Sequence, residues 1–411
     1  MKWLKKNSVV ILGEDDLVRE VMQKNKLSSD QVVVLERKDQ LVKILYAEEP
    51  DLVVLDGQKI TDSAEILGEV FSTSPGIRFV PILMLTDDSE LSKKLYSDIV
   101  CSISFFEKKG EEEIFFDKVQ DLLQESIAVK FWGVRGSTPC ANSENIKYGG
   151  NTSCVQIKIP RSDRQLILDC GTGLRNLGNH LLSYKKEHIV GDIFITHPHW
   201  DHIQGFPFFK PLYNRLNSFS VSLPEQYRGG AREILSGHLP KTFFPVTLNM
   251  LSADLTYITR EEEKEEFPHF SVEYLVANHP TKTAMYRFAI NGYSIIYAPD
   301  NEVPVTTSPI RFLEQYEKFI SGCDLLIHDA QYDQEMYKKR EGWGHSSWER
   351  VVELAKKNGV KRLFLTHHDP DSSDDALKEI DKKLKSYKGN PFLEIGLTKE
   401  GSQVRLPIGL K

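Results

Sequence analysis

Between Ile193 and Gly205 the chain reads I-F-I-T-H-P-H-W-D-H-I-Q-G, which sets His197, His199, Asp201 and His202 within six residues. The apolar residues before them read as a buried strand, and Gly205 lets the chain turn away. In an extended backbone His197 and His199 point the same way, because side chains repeat every second residue. Imidazole nitrogens suit zinc and similar ions, and a neighbouring carboxylate adds an oxygen ligand or a base. One zinc is satisfied by three or four ligands, so four donors here leave room for two neighbouring ions. Only 12 histidines occur in 411 residues, and a chance histidine-rich loop is a poor account of four donors packed this closely. The segment reads as a metal site.

Three more donors each follow a predicted strand. The run Val272–Ala277 leads into Asn278-His279-Pro280, Tyr293–Ala298 into Pro299-Asp300-Asn301, and Leu363–Leu365 into Thr366-His367-His368-Asp369. Singly, each is more often a structural histidine or a capping aspartate. Gly342-Trp343-Gly344-His345-Ser346-Ser347 opens a predicted helix carrying Val351, Val352 and Leu354, with Ser346 or Ser347 placed to cap it. Asp324, His328 and Asp329 on the preceding strand are candidates to support a ligand imidazole. Trp343 is a candidate for stacking on a base.

His-x-His-x-Asp-His after an apolar strand resembles the signature of metallo-β-lactamase-fold hydrolases. F-W-G-V-R-G-S-T-P (131–139), Y-G-G-N-T-S-C-V-Q-I (148–157) and L-I-L-D-C-G-T-G-L-R (166–175) resemble the opening of metal-dependent phosphodiesterases of that fold. The run from His345 to His367 resembles the tail of the tRNA 3′-processing endonucleases and their relatives. The resemblance implies a four-layered αββα domain over residues 128–411 with two divalent ions, zinc or manganese. It assigns His197, His199, His279 and Asp300 to one ion, and Asp201, His202, Asp300 and His367 to the other. His368 points the other way and is left out. Asp201 and His345 become the catalytic residues: Asp201 orients or deprotonates a water, and His345 holds the phosphate and protonates the leaving oxygen. Two ions about 3.5–4 Å apart are a recurrent device for phosphate-ester hydrolysis.

Ahead of this unit, residues 1–127 alternate strand and helix signals. Val9–Leu12, Val32–Leu35, Leu52–Leu55, Val80–Leu85 and Cys101–Phe106 read as strands. Segments from Leu17, Leu41, Ala64, Leu91 and Glu111 read as helices. Continuous apolar strands alternating with helices predict a doubly wound α/β parallel sheet, whose ligands gather at the carboxyl ends of the strands. Glu14 and Asp15, Asp56, Thr86 and Lys108 stand at such ends. The set resembles the receiver domain of two-component response regulators. That resemblance implies phosphorylation at Asp56, Mg²⁺ on Glu14 and Asp15, phosphoryl reading by Thr86 and Lys108, and a sensor histidine kinase as partner. Departures are an acidic cluster closer to Asp56 than is usual and no proline after Asp56. The last helix is expected to run on into residues 126–128, with a new strand opening at Val129.

Composition is 40% hydrophobic and 27% charged, as in a globular chain, and no apolar run is long enough to span a bilayer. Five well-separated cysteines, at 101, 140, 154, 170 and 323, with no C-x-x-C pair, argue against a disulfide framework. A cytoplasmic setting is expected, with a homodimer an open possibility and no membrane partner. A net charge of −7 offers no electrostatic footprint for a long nucleic acid, making nucleic acid an unlikely partner. The expected function is a dinuclear phosphodiesterase acting on a small phosphodiester, a cyclic nucleotide first, under control of the N-terminal domain. The alternatives are an RNA-processing endonuclease of the tRNA 3′ type, a carbon-ester or thioester hydrolase, and a signalling adaptor with a relic site.

Overall fold

The computed structural model describes residues 8–35, 37, 40, 41, 44, 45, 50–57, 80–87, 103–108, 110–183, 187–260, 264–304, 310–387 and 390–408. The chain forms two compact units, one of residues 1–127 with 180–185 and 401–410, the other of 128–179 with 186–400.

The first unit is built on five parallel strands: β1 (Val9–Leu12), β2 (Val32–Leu35), β3 (Leu52–Asp56), β4 (Ile82–Thr86) and β5 (Ile103–Glu107). Their order is β2-β1-β3-β4-β5, one of the common doubly wound orders, shared by proteins of unrelated function. Successive residues of a strand face opposite sides. Val10, Leu12, Val53 and Leu55 therefore enter one core with Leu41 and Leu45. Val9, Ile11, Leu52 and Val54 enter a second core with Leu17, Val21, Phe115 and Val119. The last two come from the helix Glu112–Leu123, and Leu17 and Val21 from the helix Asp15–Lys24. Burial on both faces explains why these strands read as unbroken apolar runs. The expected helices from Ala64 and Leu91 lie outside the described residues. The helix from Glu111 does not run on into 126–128: Gln124 is already extended (φ −64°, ψ 142°), and the next strand starts at Ser126.

The second unit holds two sheets. The first runs β11-β10-β9-β8-β7-β6, with β6 Ser126–Gly133, β7 Cys154–Lys158, β8 Gln165–Leu168, β9 Val190–Phe194, β10 Ser218–Pro224 and β11 Asp254–Arg260. The other runs β12-β13-β14-β15-β16-β17-β18, with β12 Glu265–Glu266, β13 Ser271–Val276, β14 Ala284–Ile290, β15 Tyr293–Ala298, β16 Leu325–Asp329, β17 Arg362–Thr366 and β18 Glu394–Leu397. The sheets meet face to face: the Phe194 ring of β9 packs edge-on against Tyr286 and Phe288 of β14, centroids 5.4 and 5.3 Å apart. On the outer face of the second sheet, the helices Ile310–Ile320, Trp348–Lys357 and Asp374–Lys385 cover one core. They bury Tyr316, Val352 and Leu384 against Met285, Ile296, Leu326 and Leu365. The helix Ala231–His238 packs on β10 and β11. Helices outside two stacked sheets are the αββα layering expected. The functional side chains leave the carboxyl ends of β9, β13, β15, β16 and β17.

Candidate metal centre

Each histidine of the cluster has one ring nitrogen anchored or turned away and the other facing a shared space. His197 Nδ1 lies 3.1 Å from Thr196 Oγ1, and His202 Nδ1 lies 2.8 Å from Asp169 Oδ2. His279 Nδ1 lies 3.1 Å from the Gly344 carbonyl, and His199 Nε2 lies 3.0 Å from Thr281 Oγ1. Fixing one nitrogen in this way aims the other, the usual means by which an outer partner orients a metal-binding imidazole. The aimed atoms converge: His279 Nε2 is 3.3 Å from His199 Nδ1, and His202 Nε2 is 3.3 Å from His367 Nε2.

Asp300 joins the two halves. Its Oδ2 lies 3.5 Å from His197 Nε2 and 3.7 Å from His279 Nε2, while Oδ1 lies 3.1 Å from both His202 Nε2 and His367 Nε2. Asp201 Oδ2 lies 3.1 Å from His202 Nε2 and from His367 Nε2, and the Ser137 amide donates to that oxygen at 2.7 Å. His197, His199, His279 and Asp300 form one group, and Asp201, His202 and His367 another, each with donor atoms within 4.8 Å of one another. The structure thus brings together all seven residues that the sequence proposed as ligands. His368 turns away to the Thr398 carbonyl at 2.9 Å.

The donor set fits divalent cations. Imidazole nitrogens face one another in two pairs, each 3.3 Å apart. Among the described residues, the buried His197 Nε2 has no hydrogen-bond partner, an expensive arrangement that a cation relieves. Burial, reinforced by neighbouring histidines, holds His197 well below the usual imidazole range and pulls His199 down to about 4, so both rings are neutral at physiological pH, the form that can take a cation. Burial works against the Asp300 carboxylate, yet His367, His202 and His197 around it hold its pKa well below the usual value.

Backbone strain and glycines shape this centre. His367, Asp169 and Ser137 adopt left-handed φ of 62°, 60° and 60°, sparsely populated for such residues and concentrated at functional sites. A Cβ at Gly136 would run into the His367 ring, and one at Gly344 (φ 89°) into His279. Gly136 of G-V-R-G-S and Gly344 of G-W-G-H are therefore cut to fit the His367 and His279 imidazoles. Gly171 of the G-T-G turn likewise sits against the Asp201 carbonyl, a structural duty.

Several contributors were not singled out in the sequence. Asp169, fully buried, accepts from the Thr196 amide at 2.7 Å and the Tyr297 hydroxyl at 3.0 Å while holding His202. Arg135, also fully buried, donates through Nε to the Gly149 carbonyl (2.8 Å) and through Nη1 to the carbonyls of Asp369 (3.0 Å) and Ser372 (2.7 Å). It staples the loop that carries His367 to the Y-G-G turn. A charged residue between glycines was the available signal, but its partners lie more than 230 residues away in Asp369 and Ser372.

His345 enters beside the cluster, with a ring nitrogen within 4.8 Å of the Asp300 and His367 donors. Asp329, at the end of β16, accepts at Oδ2 from the Ser346 amide (3.0 Å) and lies 3.2 Å from His345 Nδ1. Its support thus goes to His345 and not to a ligand imidazole. Asp324 faces away, to the Ser294 amide (2.8 Å) and Lys361 (2.9 Å). His328 lies 3.1 Å from Asn301 Nδ2. Ser347 occupies the N-cap of its helix without a side-chain capping bond. Phe206 and Phe209 are core, while Phe208 is 49% exposed.

In the first unit, Asp56 closes β3 almost fully buried, with Lys108 Nζ 2.9 Å from its Oδ1. Thr86, buried, closes the adjacent β4. Glu14 is exposed ahead of the first helix; the Asp15 side chain lies outside the described part.

Residues 164–368 match the model of the beta-lactamase superfamily domain. The chain carries a metallo-β-lactamase-fold domain. It is a metallo-hydrolase. Among curated relatives, a ribonuclease Z of Haloarcula marismortui is 21% identical over 318 residues, covering 68% of this chain and 97% of the relative. One of Picrophilus torridus is 24% identical over 326 residues, covering 68% and 99%. Among solved structures, the metallo-beta-lactamase fold protein YhfI from Bacillus subtilis superposes with a TM-score of 0.50 at 18% identity, over 69% of this chain and all of that one. No described helix of the metallo-hydrolase is long and apolar enough to cross a membrane.

Proposed function

We propose that this metal-dependent phosphodiester hydrolase cleaves RNA at a phosphodiester near a 3′ end. Support comes from relatives named ribonuclease Z, which the chain matches over 97% and 99% of their length. The geometric observation that carries the chemistry is the buried pair His345–Asp329 set against the seven-residue cluster. Net charge argued against nucleic acid as partner; the relatives named ribonuclease Z outweigh that expectation.

His197, His199, His279 and Asp300 would hold one divalent ion and Asp201, His202, Asp300 and His367 a second, and such ions, when bound, would supply Lewis acidity and a lowered pKa for water. Asp201, fixed by the Ser137 amide, orients the attacking water and takes its proton. The water oxygen forms the new bond to phosphorus as the bond to the leaving oxygen breaks in line. His345, its Nδ1 occupied by Asp329, delivers a proton from Nε2 to that oxygen, which leaves as an alcohol.

The acidic balance, with pI ≈ 6.0, favours a second reading, a small phosphodiester such as a cyclic nucleotide. One assay separates the two: a 3′-extended tRNA, cyclic AMP and cyclic GMP offered to Mn²⁺- or Zn²⁺-loaded protein, with Asp201→Ala as control. Metal-dependent shortening of the RNA supports the first reading. Turnover of the cyclic nucleotides with intact RNA replaces it by the second.

The first unit is proposed to accept phosphate at Asp56 from a histidine kinase, with Mg²⁺ beside Glu14 and Asp15. The strand order and the Lys108–Asp56 ion pair support this. Acetyl phosphate with Mg²⁺ should add one phosphoryl group to wild type and none to Asp56→Asn; labelling that persists in the variant overturns it.

A further inference from the structure

Trp343 leaves 61% of its surface exposed, two residues before His345, yet its backbone is firmly held. The Gly342 amide donates to Glu302 Oε1 and Oε2 at 2.9 and 3.1 Å, and the Gly344 amide donates to Oε2 at 2.9 Å. Glu302 is buried and also accepts from the Tyr337 hydroxyl at 2.8 Å. Left-handed φ at Gly342 and Gly344 (87° and 89°) bring both amides to the one carboxylate. The Gly344 carbonyl in turn holds His279. The exposed indole is thus built into the frame of the cluster.

Behind it stands a cation. The Arg340 guanidinium carbon lies 5.6 Å from the Trp343 ring and 5.1 Å from the Tyr332 ring. Its Nη1 donates to Asp369 Oδ2 at 2.8 Å, two residues beyond His367. A guanidinium between two aromatic rings is a stable stack. Aromatic faces presented beside a phosphate-binding site take nucleobases with little regard to sequence, since every base has a π-face.

We propose that Trp343, backed by Arg340, is a nucleobase platform that stacks the base next to the scissile phosphate. The proposal rests on the RNA-cleaving reading for the origin of that base. Its test is binding, measured by calorimetry on the full-length Mn²⁺-loaded protein with adenosine 5′-monophosphate and ribose 5-phosphate as probes. The nucleotide should bind about tenfold more tightly than the sugar phosphate; Trp343→Ala should abolish that preference, and Trp343→Phe should keep most of it. Equal binding of the two probes by wild type, binding of neither, or a preference that survives Trp343→Ala overturns the platform. RNA cleavage on the same preparation keeps the two readings apart. Cleavage without a base preference removes the platform alone. A Trp343-dependent base preference without cleavage supports the platform and removes the RNA reading.

Discussion

His345 Nδ1 sits 3.2 Å from Asp329 Oδ2, a carboxylate that is itself fully buried. Burial works against the imidazolium, but Asp329 first, then Asp300 and Asp201, outweigh it and push the His345 pKa up to about 9. At neutral pH this ring carries the proton that a leaving alkoxide needs.

A pH profile follows from that relationship. The acid must be protonated, so kcat on an RNA substrate should hold through neutral pH and fall as pH rises through about 9. Asp329→Asn removes the largest charge favouring the imidazolium and should move this alkaline limb down toward the ordinary histidine value of about 6.5. The stability linkage has the same sign: a raised folded pKa adds stability that is full below about 6.5 and is lost as pH rises through about 9. A limb that stays in place in Asp329→Asn would detach it from the His345–Asp329 pair.

Replacing the acid should hurt in proportion to how badly the leaving group needs a proton. His345→Ala should lower kcat on RNA by about 10²–10⁴-fold, the usual contribution of general acid catalysis. Bis-p-nitrophenyl phosphate, whose leaving phenolate departs unprotonated, should lose far less. Equal losses on both substrates would place His345 in binding and not in proton transfer.

Arg135 makes a structural prediction. Arg135→Lys cannot reach all three carbonyls now bridged by the guanidinium fork, and it strands buried acceptors. A loss of about 3 kcal/mol is expected, read as a lower urea midpoint for the unfolding that follows the second unit. A midpoint matching wild type would mean that the loop carrying His367 is held by other contacts.

The centre was legible to different depths. His197, His199, Asp201 and His202 are close in sequence, so spacing alone exposed them. His279, Asp300 and His367 are single residues whose meaning came from the family resemblance, which expects ligands after strands, and those strands were readable because they are buried apolar runs. The packing behind them was not readable. Nothing in the sequence around Asp169 announces that it orients His202 from 33 residues away, and the partners of Arg135 and Glu302 are fixed only once the sheets have stacked. The start of β6 was misplaced because Ser126-Ile127-Ala128 prolongs the apolar pattern of the helix before it, while the turn at Gln124 carries no glycine or proline to mark it.

The most direct measurement is metal content against phosphodiester turnover, using chelator-stripped protein titrated with Mn²⁺, in wild type and in Asp300→Asn. Asp300 faces both halves of the cluster, with Oδ2 3.5 Å from His197 and Oδ1 3.1 Å from His367. The account predicts two ions per wild-type chain, hydrolysis of bis-p-nitrophenyl phosphate that rises with their binding, and loss of both ions and turnover in the variant. Undiminished hydrolysis by the stripped wild type, or two ions and full turnover in Asp300→Asn, would contradict it.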